Sequence, residues 1–539
     1  MKFHMKSLST FVVSLLALTS QSMPVARAEP PADLDRSLTT VLRQLGFTGK
    51  MQSTLERRLG RSLDPALVDL GQLLWFDSIT SLGNDNSCSG CHSPAFGFGD
   101  SQSIAIGVEN NGIVGPDRAG PRNQRRTPQM INAGFYPGLM WNARFSATSH
   151  DPFDLSEGAR VPFFLGGTTV WRPGSACIYG TCFDPQITRT LLGVQANFPP
   201  TETIEVAGFA APDSHDVDPR LYYPVHLVSS GLMSDTLPEE IAGPNGSPPD
   251  SIDRGYAIRQ KVLDRLNATP NYIARFAAIY PEAAGGHITM AQVGAAIAEF
   301  EFSNTFADAP IDRFARGQGN AMTPRQKQGA LLFFDKIGCV GCHTVAGESH
   351  EMFSDFQTHV AGIPQVAPKG FGLKPGGNPQ NPEDLPGNFE FSGPNRDEDF
   401  GREELTGDPV DRYAFRTAPL RNLRVQPAFF HNGAFTRLRD ALRYHLDTIA
   451  SASTYDPVAA GLDPDLTVRR GPMEPVLKRL DPRIAAMGNV ALSDQDFEDL
   501  LEFLRDGLLD ERALPANLCR LIPASVPSGR KVLTFQGCH

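Results

Sequence analysis

The sequence predicts a mainly α-helical protein made of two similar halves with long irregular loops. Three observations carry that prediction. The pattern Cys-x-x-Cys-His occurs twice, as "CSGCH" over Cys88–His92 and "CVGCH" over Cys339–His343. Each copy follows an apolar stretch of helical spacing that ends in Phe-Asp, "LGQLLWFD" (70–77) and "QGALLFFD" (328–335). Downstream, "RTPQMINAGFYPGLMWNARF" (126–145) parallels "RTAPLRNLRVQPAFFHNGAF" (416–435), with six identities at one constant offset of 290. Self-similarity over such a length reads as an internal duplication.

Taken in chain order, the start "MKFHMKSLSTFVVSLLALTSQSMPVARA" has the three parts of a secretory signal over 1–28. Lys2 and Lys6 form its charged end, Phe11–Leu18 its apolar run and Ala26–Ala28 a small-residue cleavage site. The run is too short to cross a bilayer, and no later stretch reaches eighteen apolar residues. The mature chain is therefore expected to be periplasmic, with no membrane span. The full chain's formal charge of −11, which becomes −14 when Lys2, Lys6 and Arg27 leave with the signal, argues against nucleic acid and for a basic partner.

A chain of 539 residues exceeds what one core holds, so two domains are expected. "APIDRFARG" (309–317) reads as the crossover, dividing a first domain over 29–312 from a second over 313–539. Helical periodicity marks "YAIRQKVLDRLNATPNYIARFAAIY" and "TMAQVGAAIAEFEFSNTF" in the first. In the second it marks "LRDALRYHL" and, behind a Ser493 cap, "SDQDFEDLLEFLRDGLL". Little alternates as strand. An insertion over 146–188 and the Gly/Pro-rich stretch over 365–399 read as long surface loops.

The chemistry lies in the cysteines. Two thiols three residues apart reach both vinyl groups of one haem, and the adjacent histidine ligates its iron. A zinc knuckle needs two more ligands at regular spacing, and none follows either pair. A thioredoxin-like dithiol belongs to a βαβ unit, which is missing here. Two covalently bound haem c groups are expected, one on Cys88, Cys91 and His92, the other on Cys339, Cys342 and His343. Cys177 with Cys182, and Cys519 with Cys538, are candidate disulfides in an exported chain, with connectivity open. The final "GCH" is no haem site, because Phe535 stands where its first cysteine would be.

These motifs, over roughly 67–505, resemble the bacterial di-haem cytochrome c peroxidase and MauG superfamily. The resemblance implies two cytochrome c-like haem domains and reduction of hydrogen peroxide at the first haem. Electrons would arrive through the second haem from a small cytochrome c or cupredoxin. A MauG-like oxidase acting on side chains of a partner protein is the alternative, and a plain di-haem electron carrier a third reading. Over the open face of the first haem the resemblance implies a glutamine, a proline four residues on and a glutamate ten residues after the glutamine. "QANFPPTETIE" supplies Gln195, Pro199 and Glu205. Alone, Glu205 would read as a surface carboxylate; framed this way, it can move a proton between the oxygens of peroxide.

The peroxidase members carry a histidine sixteen residues after the first proximal one, plugging the first haem at rest. Here that position is Val108, and no histidine stands between His92 and His150, so the first iron is expected to be open. At the eighth position of the helix beginning at Leu438, where relatives place methionine or tyrosine, stands His445, the expected second ligand of the second iron. Neighbouring Tyr444 is its rival. The tryptophan implied between the haems is matched by Trp141. A calcium between the domains is also implied, but Arg126 replaces its expected asparagine unless Asn123 shifts into place, so calcium is left open.

Overall fold

The computed structural model describes residues 31–162, 168–172, 184, 187–208, 251–347, 349–368, 391–395 and 397–538. The expected signal peptide, Cys177, Cys182 and most of the 365–399 stretch lie outside the described residues. The described architecture is mainly helical, as expected, and two helix pairs organise it.

In the first half the Pro65–Phe76 helix crosses the Met290–Ser303 helix. Asp64 starts the former by accepting from the Ala66 and Leu67 amides, with Pro65 at the first helical position. Thr289 and Gln292 close a capping box on the latter. In the second half the Pro324–Leu331 helix crosses the Asp494–Glu502 helix. Thr323/Gln326 and Ser493/Asp496 form their capping boxes, the Ser493 cap as expected. Both crossings are set by a glycine. A Cβ on Gly71 would stand 1.8 Å from the Ala296 carbonyl oxygen, and one on Gly329 would stand 2.0 Å from that of Asp499. Nothing larger than a hydrogen fits there.

One stretch departs from expectation. The insertion read as a loop over 146–188 is in part a sheet. Strands Gly138–Leu139, Phe145–Ala147, Ala159–Pro162 and Thr168–Trp171 pair in that order, each antiparallel to the next. Strands of two to four residues are too short for an alternation count to find. The sheet buries Phe145 and Trp171 against Phe135, Phe198 and Phe302.

The two ends of the chain cross the division expected at 312/313. Leu38 and Leu42, on the Pro31–Gln44 helix, join the core of the second half with Phe333, Phe353 and Phe503. Conversely, Leu518, Val526 and Phe535 from the C-terminal tail join Leu74, Phe76 and Phe300 in the first. Thr534–Phe535 pairs in parallel with Ile113–Val114, and a Cys519–Cys538 disulfide closes the tail. The crossover itself is a short helix, Pro310–Ala315, whose fully buried Asp312 takes both guanidinium nitrogens of Arg421 at 2.7 and 2.8 Å. No helix among the described residues is long and apolar enough to cross a membrane.

Two candidate haem cavities

Each Cys-x-x-Cys-His stretch coils into one short turn, Cys88–Cys91 and Cys339–Gly341, and the histidine amide closes it on the first cysteine's carbonyl at 2.9 Å in both. The imidazoles are held alike. His92 Nδ1 bonds the Phe98 carbonyl at 3.0 Å, and His343 Nδ1 bonds the Phe353 carbonyl at 2.8 Å. Phe98 and Phe353 both sit in the left-handed region, at φ 51° and 62°, which turns their carbonyls toward the rings. A carbonyl on Nδ1 makes Nε2 the coordinating nitrogen. Burial pushes His92 down to about 4, and His343 down as well, so both rings are neutral donors at ordinary pH.

The first cavity, about 1020 Å3 including its open mouth, is lined by Cys88, Cys91 and His92 together with Gln195, Pro199 and Glu205. The second, about 1510 Å3, is lined by Cys339, Cys342, His343 and His445. All four cysteines are unpaired. Burial pushes Cys88, Cys91 and Cys339 up to about 12 and Cys342 up to about 11. Two buried thiols and one anchored imidazole facing an apolar space of that size fit one haem c per cavity.

Beyond the tether the cavities differ. Gln195 ends the Leu191–Gln195 helix, Glu205 sits in the Thr203–Ala207 turn, and both line the first cavity. Glu205 is about a third exposed and faces the Arg144 guanidinium at 3.5 Å. Val108 is fully buried, and its amide donates to the Ile204 carbonyl at 3.2 Å, tying the 106–108 segment to the Glu205 turn. Among the described residues, His92 is the one imidazole lining this cavity. Among the described residues the second cavity is lined by four imidazoles, those of His343, His359, His431 and His445. His445 lies on the Leu438–Leu446 helix, its Nδ1 sealed from water and without a partner among the described residues. Burial, reinforced by His343, pushes it down to about 4.

Trp141, Arg126 and Pro128 line both cavities. A reciprocal pair of hydrogen bonds fixes this junction. The Arg126 amide donates to the His431 carbonyl at 2.7 Å, and the Arg416 amide to the Trp141 carbonyl at 2.7 Å. Each pair maps onto the other by the 290-residue offset read in the sequence. Trp141 Nε1 also donates to the Arg126 carbonyl at 2.7 Å. By the same offset His431 stands where the first half has Trp141. Its ring is buried, stacks on Phe415 at 3.6 Å and is pushed down to about 3 by burial.

Four of these residues were not singled out from sequence for this work: Arg144, His431, Glu301, and Arg126 as a member of both cavities. Glu301 lies on the Met290–Ser303 helix and is 7% exposed. One of its carboxylate oxygens has no partner, and it lines the first cavity. The glycine crossings align Phe300 with Phe503, so Glu301 takes the place of Leu504, which lines the second cavity. Burial pushes the Glu301 carboxyl up to about 8. A folded-state value above the ordinary one gives stability that is complete below about 4.5 and is lost as pH rises through 8. The Glu301 contribution to stability should therefore shrink between pH 5 and 8, by up to about 1.4 kcal/mol per pH unit. Glu301→Gln should flatten that slope in thermal melts. Parallel melting curves for the two proteins would remove Glu301 as its source.

Residues 65–320 match the family described as Di-haem cytochrome c peroxidase. The chain is 30% identical over 384 residues to the cytochrome-c peroxidase IdrP1 of Pseudomonas sp. (strain SCT), covering 70% of this chain and 71% of that one. It is 24% identical over 400 residues to the cytochrome-c peroxidase IdrP2 of Denitromonas iodatirespirans, covering 74% and 77%. It is 23% identical over 388 residues to the methylamine utilization protein MauG of Methylorubrum extorquens, covering 71% and 69%.

Proposed function

Because the chain belongs to the di-haem cytochrome c peroxidase and MauG family, we propose that it is an exported peroxidase. It reduces hydrogen peroxide at the haem on His92, with electrons passed through the haem on His343 and His445. One observation carries the reading: the asymmetry of the two cavities. Among the described residues, the first offers one imidazole and two carboxyls, Glu205 and Glu301, and the second offers no carboxyl and four imidazoles, of which His343 and His445 are the pair proposed to hold iron. The first suits chemistry and the second electron storage. The reciprocal Arg126/His431 and Arg416/Trp141 bonds support a duplication, divided in sequence at 312/313, whose copies meet face to face. A signal over 1–28 and a periplasmic setting complete the proposal.

A haem held by Cys88, Cys91 and His92 would supply the redox chemistry that cleaves the O–O bond of peroxide. The protein's part is proton movement and positioning. Glu205, facing the Arg144 guanidinium at 3.5 Å, sits at the cavity edge where it can accept the proton of the near oxygen. The protonated Glu205 then returns it to the far oxygen, which leaves as water. Gln195, at the end of its helix, is placed to orient the incoming peroxide by hydrogen bonds. Val108, packed under the Glu205 turn, keeps that face free of a competing ligand.

Trp141 shares both cavities, and its indole is oxidisable, which suits a relay. Steady-state peroxide turnover with reduced cytochrome c or a cupredoxin as donor tests the function. Trp141→Phe should slow turnover with either donor while peroxide still reacts at full speed with the first site. Equal donor turnover in Trp141→Phe would take the relay elsewhere. A protein that consumes no peroxide with either donor, yet oxidises side chains of a partner protein, would instead have the MauG-like activity. The open first site and His445 in place of methionine favour that second reading.

A further inference from the structure

We propose that the Arg126 guanidinium binds the carboxylate side chains of the two haems where the cavities meet, a fixed cation in the place of a bound divalent one. The inference rests on the reading that both cavities hold haem. Arg126 is 1% exposed, and its Nε and Nη2 have no partner among the described residues. Its third nitrogen, Nη1, donates to Gln426 Oε1 at 3.1 Å. Three other buried arginines are satisfied. Arg421 is paired with Asp312, Arg122 with Asp463 and Asp465, and Arg118 donates to three carbonyls and the Asn86 side chain.

A buried guanidinium with two open donors is a costly arrangement unless an anion completes it. The nearest acid does not supply one. Asp100 exerts an attractive field on Arg126, but its carboxylate accepts from the Gln102 amide at 3.0 Å and the Thr127 amide at 2.9 Å. Burial pulls Arg126 down to about 10, which leaves it a cation at neutral pH. The side chain lines both cavities, and its backbone is pinned on both sides, by the His431 carbonyl and the Trp141 indole. The anions that enter these cavities with haem are its two propionates. A planar fork of donors suits a carboxylate, or one from each haem.

The test uses the haem-loaded full chain, with haem content per chain measured first. Fewer than two haems in the wild type would sink the underlying reading rather than this one. With two haems present, Arg126→Met should lower both reduction potentials in spectroelectrochemical titration, because removing a cation beside the propionates favours the ferric state. Arg126→Lys should recover most of that loss while shifting the propionate-bending bands in resonance Raman spectra. Chelation with EGTA, or added calcium, should move neither potential in the wild type. Potentials unchanged in Arg126→Met, or bands unmoved in Arg126→Lys, would overturn the contact. A chelator-induced shift that calcium reverses would overturn the substitution of a fixed cation for a divalent one. The Raman comparison decides the contact even where Arg126→Met loads haem poorly.

Discussion

Glu205→Gln is expected to slow the reaction of the protein with hydrogen peroxide by about 10²–10⁴-fold, the usual contribution of a positioned acid–base group. Glutamine has the same size and can still hydrogen-bond, but it cannot accept and return a proton at neutral pH. The backbone around it should not move. The Glu205 carbonyl accepts from Asn86 Nδ2 at 2.6 Å, and the neighbouring Ile204 carbonyl holds Val108. Neither contact involves the carboxylate. Haem content, spin states and potentials should therefore match the wild type closely, and this separates a proton shuttle from a structural role. Arg144→Leu is a useful companion, because it leaves the carboxylate in place and removes the cation 3.5 Å away. Its effect should be smaller than that of Glu205→Gln. Stopped-flow absorbance on mixing with peroxide measures both. Full-speed reaction in Glu205→Gln would move the shuttle to another group, with Glu301, the second carboxyl of the same cavity, the first to test.

The parts of this molecule that were legible in the sequence are those written as spacing. Cys88, Cys91 and His92 must be contiguous to grip one haem, and Gly71 and Gly329 sit at matching places in two apolar helices. The repeat therefore shows in one dimension. The meaning of the 290-residue offset was half visible. It aligned Arg126 with Arg416, but not the exchange of hydrogen bonds that Arg126 and Arg416 make across the junction. What was illegible depends on contacts distant in sequence. Phe535 meets Phe76 across the whole chain, and no local pattern reports that the C-terminal tail closes the first core. Glu301 reads as one more polar residue of an amphipathic helix. Only the crossing at Gly71 turns its side chain into the cavity, and only there does a carboxyl without a partner become notable.

His445→Ala is expected to turn the second haem from low-spin to high-spin or water-ligated, with both haems retained. His445→Met should keep it low-spin and raise its potential, since a thioether favours ferrous iron more than an imidazole does. The argument is one of elimination within a single cavity. His343 is anchored through Nδ1, which leaves its Nε2 as one of the two proposed ligands. Tyr444, the neighbour that could compete with His445, donates its hydroxyl to the Gly362 carbonyl at 2.7 Å and packs its ring on Phe435. His359 lines the same cavity, but its Nε2 is held by Asp355 at 2.9 Å and its Nδ1 by Arg483 at 3.0 Å. His445 combines a buried, neutral ring with a helix that carries it to the cavity wall. Electron paramagnetic resonance of the ferric protein reads the spin state, and potentiometry reads the shift. The first haem is an internal control, since its signal should be the same in all three proteins. A low-spin second haem surviving in His445→Ala would pass the ligand role to another imidazole of the cavity. His431 would then be the candidate, because its Nε2 is, beside His445 Nδ1, an imidazole nitrogen of that cavity without a hydrogen-bond partner among the described residues.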